Sequence, residues 1–357
     1  MNVPALSPLS DLSQEVQLRR EAAKKALSHW SHPRLAPPGP SRVRATEGAD
    51  GQAVLEAPVN IPSGAQILAT PPAEDFSSAL LLDSIRQSLI RQEDTIIYSL
   101  IERGQFQRND WVYQADGVAM PASRSASQPS TGSTPDTAPG GTSAKCSLLE
   151  WLLRETEQVH GRIRRYTSPI EHPFFPEDLP MPVLPSMTYP QVLAPCAADI
   201  NINSRIMSMY LRHVLPAITR PGTDNNFGSA AMHDVLCLQA LSQRIHYGKY
   251  VAEAKFQAKE EVYRREVERQ DVEALMDLLT DVSVEQQVVE RVRRKAEQYG
   301  RDAATAGSTE ASADDSDADA PCKIAPEAVA ELYASWLMPL NKDVQIAYLL
   351  RRLDPPS

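Results

Sequence analysis

Residues 244–255 read RIHYGKYVAEAK, and this stretch has a helical period with cations on its apolar side. One face of the predicted helix is formed, at steps of four and three residues, by Cys237, Leu241, Arg244, Gly248, Val251 and Lys255. Eleven residues at about 100° each return almost to the starting direction, so Arg244 and Lys255 project from the same face, about 16 Å apart along the axis. If that face is buried, both cations need an anion.

The rest of the chain also has mostly helical patterns. A buried stripe is predicted in residues 82–104 from Leu82, Ile85, Leu89, Ile96 and Leu100, with Gly104 as the stop and Arg86 beside the stripe. Further helices are predicted at residues 146–166, 201–215, 232–257, 260–279, 284–299 and 325–353. The Pro-rich residues 169–186 are predicted to pack as a loop against the bundle. Strand patterns are nearly absent, so the fold class is all-α.

On two later predicted helices, polar residues lie on the same face as apolar ones. Asp281 and Glu285 lie one turn apart, and so do Asn341 and Gln345. Together with Arg86, Arg244 and Lys255 they predict a pocket for a small dicarboxylate inside a helical bundle. The alternative for each cation is a structural ion pair or a side chain with its head in solvent. The alternative for Asp281 is a helix N-cap, with Ser283 and Gln286 as a capping box.

The composition excludes several classes of function. The chain has 357 residues, a net charge of -10 and a pI near 5.3, which argues against a nucleic-acid partner. Its four cysteines, Cys146, Cys196, Cys237 and Cys322, are widely spaced and form no metal or disulfide pattern. No apolar run is long enough to cross a membrane. Metal, nucleotide and nucleophile motifs are absent from the sequence, so we expect no cofactor and no metal.

Three segments have the composition of disordered chain. The first 44 residues contain seven Arg or Lys against three acids, and residues 1–70 as a whole fit an organelle transit peptide, an unstructured tail being the alternative. Residues 123–145 and 305–321 are small, polar and poor in large apolar residues. We interpret them as insertions in a single domain at residues 76–354.

Several longer motifs carry a family resemblance. LLLDSIRQSLIRQEDTIIYSLIER, IRRYTSPIEHPFFPEDLP, DNNFGS, LCLQALSQRIHYGKYVAEAKFQ, VERVRRKAEQYG and MPLNKDVQIAYLLRRLD closely resemble chorismate mutases of the all-helical type found in fungi and plants. The resemblance covers about residues 76–353. It implies an all-helical homodimer that converts chorismate to prephenate, on the way to phenylalanine and tyrosine, in a four-helix bundle within each subunit.

The resemblance also implies roles for the inward polar residues. Arg86 and Arg244 match arginines that hold the substrate carboxylates, Lys255 matches a lysine at the breaking ether oxygen, and Glu285 matches a glutamate that accepts from the substrate hydroxyl. Gln345 falls where the fungal enzymes have a glutamate that must be protonated to act. Asp281 and Asn341 match positions of small polar residues that line the site.

An effector site between subunits is implied as well. The residues that match it are Arg164, Arg165, Asn225, Asn226, Gly228 and Ser229. The expected effectors are tryptophan, tyrosine and phenylalanine, and the expected location is the plastid, with the cytoplasm as the alternative. The alternative for DNNFGS is an ordinary turn with Ser229 as a helix cap. The alternative for the whole chain is a catalytically inactive helical dimer that serves as a binding or scaffold module.

Overall fold

The structure is a computed structural model that describes residues 82–116, 146–305 and 323–355. These residues belong to one compact unit, Asp75–Ser357. The expectations for residues 1–70, 123–145 and 306–321, and for Cys322, lie outside the described residues.

Helices form the described parts of the chain, and no strand occurs in them. In chain order they are α1 (Leu82–Gly104), α2 (Leu148–Arg162), α3 (Asn203–Met209), α4 (Leu215–Ile218), α5 (Phe227–His246), α6 (Gly248–Ala258), α7 (Glu260–Glu268), α8 (Val272–Leu279), α9 (Val282–Thr305), α10 (Pro326–Glu331) and α11 (Met338–Arg351). Two π-helical segments, Tyr210–Val214 and Leu332–Leu337, join α3 to α4 and α10 to α11. The all-α prediction is confirmed.

The first helix follows its predicted stripe. Ile85, Ile96 and Leu100 are buried and Leu89 is half-buried. The helix ends at Gly104, where an added Cβ would lie 3.1 Å from the carbonyl oxygen of Ile218. A Cβ would therefore be a tight fit where α1 passes the end of α4, which favours glycine there.

Helix α2 is shorter than predicted at both ends. Ser147 caps it and forms a capping box with Glu150, so the helix begins at Leu148. It ends at Arg162 because Arg164 takes a left-handed conformation, with φ 68°. The Pro-rich segment that follows packs as a loop, as predicted. The carboxylate of Glu157 accepts hydrogen bonds from the backbone N–H groups of Phe174 and Phe175 and so holds this loop against α2.

Two predicted continuous helices are divided. Residues 260–279 form α7 and α8, because Gln270 has φ 53° and Asp271 caps a new helix by accepting from the N–H of Ala274. The helix predicted at 232–257 starts earlier, at Phe227, and is interrupted at Tyr247 between α5 and α6.

Both π-helical segments stand just before a proline. Pro216 and Pro339 have no N–H to donate to the carbonyl four residues earlier, and a wider turn accommodates that missing bond. The helix predicted at 325–353 is for this reason composed of α10, a π-helical segment and α11.

Five helices, α1, α5, α6, α9 and α11, pack against one another. Helix α1 packs against α5 and α9, and α11 packs against α5 and α6. Among the described residues no helix is long and apolar enough to cross a membrane. The buried polar residues considered next lie between these helices.

Candidate active site

The centre of the candidate site is the guanidinium group of Arg244 on α5. The residue is 6% exposed, and its Nε and Nη1 atoms are buried without a hydrogen-bond partner among the described residues. Burial lowers the pKa of Arg244. A cation in this state is unfavourable unless an anion joins it, so the arrangement fits a site for an anionic ligand.

The nearest acids are already paired with other cations. Glu93 of α1 is fully buried and accepts from Nε and Nη2 of Arg291 at 2.9 and 2.6 Å. Lys295 contacts Glu93 at 3.2 Å and Asp94 at 2.7 Å. In the part of the chain that the structure describes, Arg244 therefore has no carboxylate partner.

Tyr333 adds a second unpaired polar atom. Its hydroxyl is buried without a partner in the described part of the chain, and the ring belongs to the π-helical segment before α11. Burial raises the pKa of Tyr333, Arg244 lowers it and Glu93 raises it, so the hydroxyl lies within electrostatic reach of both. It is available as a neutral donor beside Arg244.

Gln345 and Asn341 on α11 form a linked pair. Nδ2 of Asn341 donates to the carbonyls of Ile245 at 2.9 Å and Arg244 at 3.3 Å. Its Oδ1 accepts from Nε2 of Gln345 at 2.8 Å, while Oε1 of Gln345 is buried and finds no partner among the residues that the structure describes. Asn341 thus links the helix of Arg244 to Gln345, and these hydrogen bonds occupy both its amide nitrogen and its amide oxygen.

Gly248 allows this close approach of α11 to the junction of α5 and α6. A Cβ at Gly248 would lie 2.7 Å from the carbonyl oxygen and 2.8 Å from Nδ2 of Asn341. Close packing against Asn341 therefore explains why a glycine stands on the predicted stripe at position 248.

Replacement of Gly248 by alanine is expected to destabilise the protein by about 1–3 kcal/mol, because the helices must separate to admit the methyl group. Thermal denaturation would measure the loss. Gly228→Ala is the matched control, since a Cβ there meets no atom within 4 Å. An equal melting temperature for Gly248→Ala and the parent would contradict the close contact.

Lys255 and Glu285 lie at the other end of the site and are both half-buried. Nζ of Lys255 donates to the carbonyl of Leu279 at 2.7 Å, and burial lowers the pKa of Lys255 although Glu285 and Asp281 raise it. Glu285 pairs with Lys342 at 2.9 Å. An ammonium group has three N–H donors, so Lys255 keeps donors for a ligand.

The burial predicted for Arg86 is wrong, because its side chain is exposed. Ile85 takes the buried position and packs with Tyr250 and Ala254. Arg86 precedes Glu93 by seven residues, so it lies on the Glu93 side of α1, about 10 Å along the axis.

Asp281 is exposed and takes its alternative role. Its Oδ1 accepts from the N–H of Val284 at 3.2 Å at the start of α9. Ser283 lies inside this helix, so the predicted capping box with Gln286 is wrong.

The candidate effector residues lie near two different parts of α5. Arg165 contacts Glu171 at 3.2 Å and Gln239 at 3.4 Å, and Arg164 donates to the carbonyl of Pro185. Asn225, Asn226, Gly228 and Ser229 lie at the start of α5, where Ser229 is inside the helix and not a cap. Residues 225 and 239 are about 20 Å apart along such a helix, so one chain does not bring the two groups together.

Sequence reasoning missed four residues of the site: Arg291, Lys295, Tyr333 and Lys342. A signal existed for the first two. Glu93 falls on the apolar stripe of α1, and a buried acid requires a cation such as the pair four residues apart in VERVRRKAEQYG. Tyr333 carried no comparable signal, because a tyrosine on a helical stripe is an ordinary core residue.

Comparisons with known proteins identify the family. Residues 228–346 match the family model of chorismate mutase type II. Chorismate mutase 1, chloroplastic, of Petunia hybrida is 46% identical over 280 residues, which are 78% of each chain.

Two solved structures are similar in fold as well. Aro7p chorismate mutase from Candida albicans, in complex with L-Trp, has a TM-score of 0.66 and 37% identity, over 79% of this chain and 95% of that one. AtCM1 with tyrosine bound in its allosteric site has a TM-score of 0.63 and 43% identity, over 78% of this chain and 99% of that one. At this identity and coverage, the chain belongs to the type II chorismate mutases, the all-helical isomerases that convert chorismate to prephenate.

Proposed function

We propose that the pocket between α1, α5, α9 and α11 binds chorismate and that Arg244 is its principal carboxylate ligand. The observation that supports this assignment is the buried guanidinium of Arg244, whose Nε and Nη1 have no partner. A guanidinium fork binds a carboxylate through two parallel hydrogen bonds. Arg86, on the same side of α1 as Glu93, holds the second carboxylate from the open end.

The reaction requires positioning and electrostatic stabilisation. It is an intramolecular [3,3] rearrangement that needs no acid, base or metal, so the protein holds the substrate in its reactive chair and stabilises the negative charge that develops on the ether oxygen. Lys255 supplies a charged donor to that oxygen, and Gln345 supplies its second amide N–H, the first being engaged with Asn341.

Glu285 accepts from the substrate hydroxyl in this proposal. Lys342, 2.9 Å away, orients the carboxylate. Asn341 acts through Gln345 and is a positioning residue. Asp281 acts at the start of α9, where its cap sets the position of Glu285 one turn later.

Loss of chorismate by the purified full chain, followed by absorbance with product identified as prephenate, tests the assignment. Activity in the parent and a large loss in Arg244 and Lys255 variants support it. No turnover in the folded parent would favour the alternative, an inactive helical dimer.

We also propose that the active form is a homodimer with an aromatic amino acid site between subunits. Exposed apolar side chains on α2, α5 and the loop after α2 support a second copy as the occupant of this face: Val159, Ile163, Met181, Val183, Met232 and Leu236. Two copies in antiparallel contact bring Arg164 and Arg165 of one toward Asn225–Ser229 of the other. Tryptophan, tyrosine and phenylalanine are the proposed effectors, in line with the amino acids in the solved relatives.

Gly228→Asp is expected to leave basal turnover largely intact and to blunt the response to tryptophan and tyrosine. The position is exposed with open space around it, so the aspartate is accommodated, but its charge repels the effector carboxylate. Turnover with and without each amino acid measures the effect. Normal responses in this variant would remove Gly228 from the effector site.

Import into plastids is the proposed location. The basic excess in the first 44 residues and the chloroplastic relative support it. A fluorescent protein fused after residues 1–70 is expected to accumulate in plastids. Fluorescence that stays in the cytosol would favour the cytoplasmic alternative.

A further inference from the structure

A second cleft lies beside α1, away from the candidate active site. Its volume is about 530 Å³, within the range of small-molecule sites. Its walls come from α1, from the junction of α5 and α6, and from the loop after α2. The residues used below are Ser88, Arg91, Gln92, Ile170, Tyr247 and Tyr250.

The cleft is separate from the chorismate pocket. Glu93 marks the side of α1 that faces α9, and Ser88 and Arg91 point about 140–160° away from it. The cleft is lined by none of the proposed catalytic residues and by none of the candidate effector residues.

Arg91 gives the cleft a cation at its rim. Among the described residues no carboxylate pairs with it, and its Nη2 donates to Oγ of Ser88 at 3.1 Å. The hydroxyl orients the guanidinium without neutralising it. One unpaired cation matches one carboxylate, because a more highly charged ligand would need a second cation.

Gln92 gives the cleft an unpaired acceptor. Its Oε1 is buried and has no hydrogen-bond partner in residues 82–116, 146–305 and 323–355, which the structure describes. A buried amide oxygen without a donor is unfavourable, so a ligand with a hydroxyl or amino group would supply the missing bond.

The remaining wall is apolar and aromatic. Tyr247 and Tyr250 stack with ring centroids 5.0 Å apart. Ile170 and Val192 pack against the same cluster. Such a wall binds a flat ring through contact area.

We propose that this cleft binds a small aromatic monocarboxylic acid that carries a hydroxyl or amino group. The ring lies against Tyr247 and Ile170, the carboxylate pairs with Arg91, and the polar hydrogen is donated to Oε1 of Gln92. The proposal does not depend on the assignment of the catalytic residues.

The test is calorimetric titration of the full chain with 3-(4-hydroxyphenyl)propanoate as the probe. The parent is expected to bind it, and Arg91→Gln is expected to bind about tenfold more weakly because a charge-assisted hydrogen bond is lost. Gln92→Leu should weaken binding severalfold. The neutral carboxamide of the probe should bind the parent as weakly as the acid binds Arg91→Gln.

Arg294→Gln is the matched control for charge, since Arg294 is an exposed arginine of α9. It should bind the probe like the parent, and so should Arg244→Met and Arg164→Ala. Loss of binding in Arg244→Met or Arg164→Ala with normal binding in Arg91→Gln would overturn the proposal by placing the probe in another site. Absence of binding to the parent at millimolar probe would overturn it as well.

Discussion

Arg244→Met is expected to abolish most of the activity and, at the same time, to raise the melting temperature. The activity is lost because a carboxylate ligand is removed inside a desolvated site, where one charge-assisted contact is worth about 2–4 kcal/mol or more. A fall of at least about a thousandfold in kcat/KM is expected if the substrate carboxylate also loses its orientation.

The gain in stability follows from the same unpaired atoms. The protein buries a guanidinium whose Nε and Nη1 have no partner among the described residues, and methionine fills a similar volume without that cost. Replacement of buried charged groups by apolar ones has stabilised other proteins by about 1–4 kcal/mol. Thermal denaturation without ligand, together with chorismate turnover, measures both effects.

Arg103→Met is the matched control. Arg103 is also fully buried, but it donates to Asp234 at 2.6 Å within a group that includes Tyr113 and Tyr210. The same substitution at Arg103 leaves the buried carboxylate of Asp234 without its cation and should destabilise the protein by about 3–5 kcal/mol. A drop in melting temperature for Arg244→Met similar to that of Arg103→Met would mean that Arg244 is a structural residue.

The contrast between these two arginines also marks what the sequence could predict. Arg244 stood on an apolar stripe of steps four and three, and that pattern predicted its burial. Whether a buried cation has a partner depends on contacts between distant residues, such as Arg103 with Asp234. Periodicity describes a helical face and cannot show that partner.

The helix boundaries illustrate a second limit. The π-helical turns before Pro216 and Pro339 arise from missing N–H donors, and the division at Tyr247 falls within an otherwise regular pattern. Arg86 was placed inward because it lies next to the stripe of α1, but packing of Ile85 against Tyr250 decides which of the two neighbours is buried. Arg86 shares the direction of the buried Glu93, and whether a side chain on that face is covered depends on tertiary packing that a helical period does not contain.

Gln345→Glu is expected to convert a broad pH profile into an acid-shifted one. In the parent the amide at position 345 does not titrate, so turnover should stay nearly constant across roughly pH 5–8. Its alkaline limit comes from Lys255, whose pKa is lowered by burial, since Lys255 must keep its proton to donate to the ether oxygen.

The environment of residue 345 opposes an ionised carboxylate. Asn341 commits its Nδ2 to the carbonyls of Ile245 and Arg244, so its Oδ1 must face residue 345 as an acceptor. An ionised glutamate at this position would place a carboxylate oxygen against that acceptor, where the native side chain is only 4% exposed. Only the protonated acid can donate, either to Asn341 or to the ether oxygen.

Both effects should raise the pKa of the introduced carboxyl group, and activity then falls as pH rises through that pKa. Turnover near pH 7 should be reduced about tenfold or more and be largely recovered near pH 5. Because the acid binds its proton more tightly in the folded state, the variant should also lose stability relative to the parent as pH rises over the same range. Gln345→Leu is the control, since a residue without a donor should be slow at every pH. A parent that already depends on acid, or a glutamate variant with the parent profile, would show that Gln345 does not act on the ether oxygen.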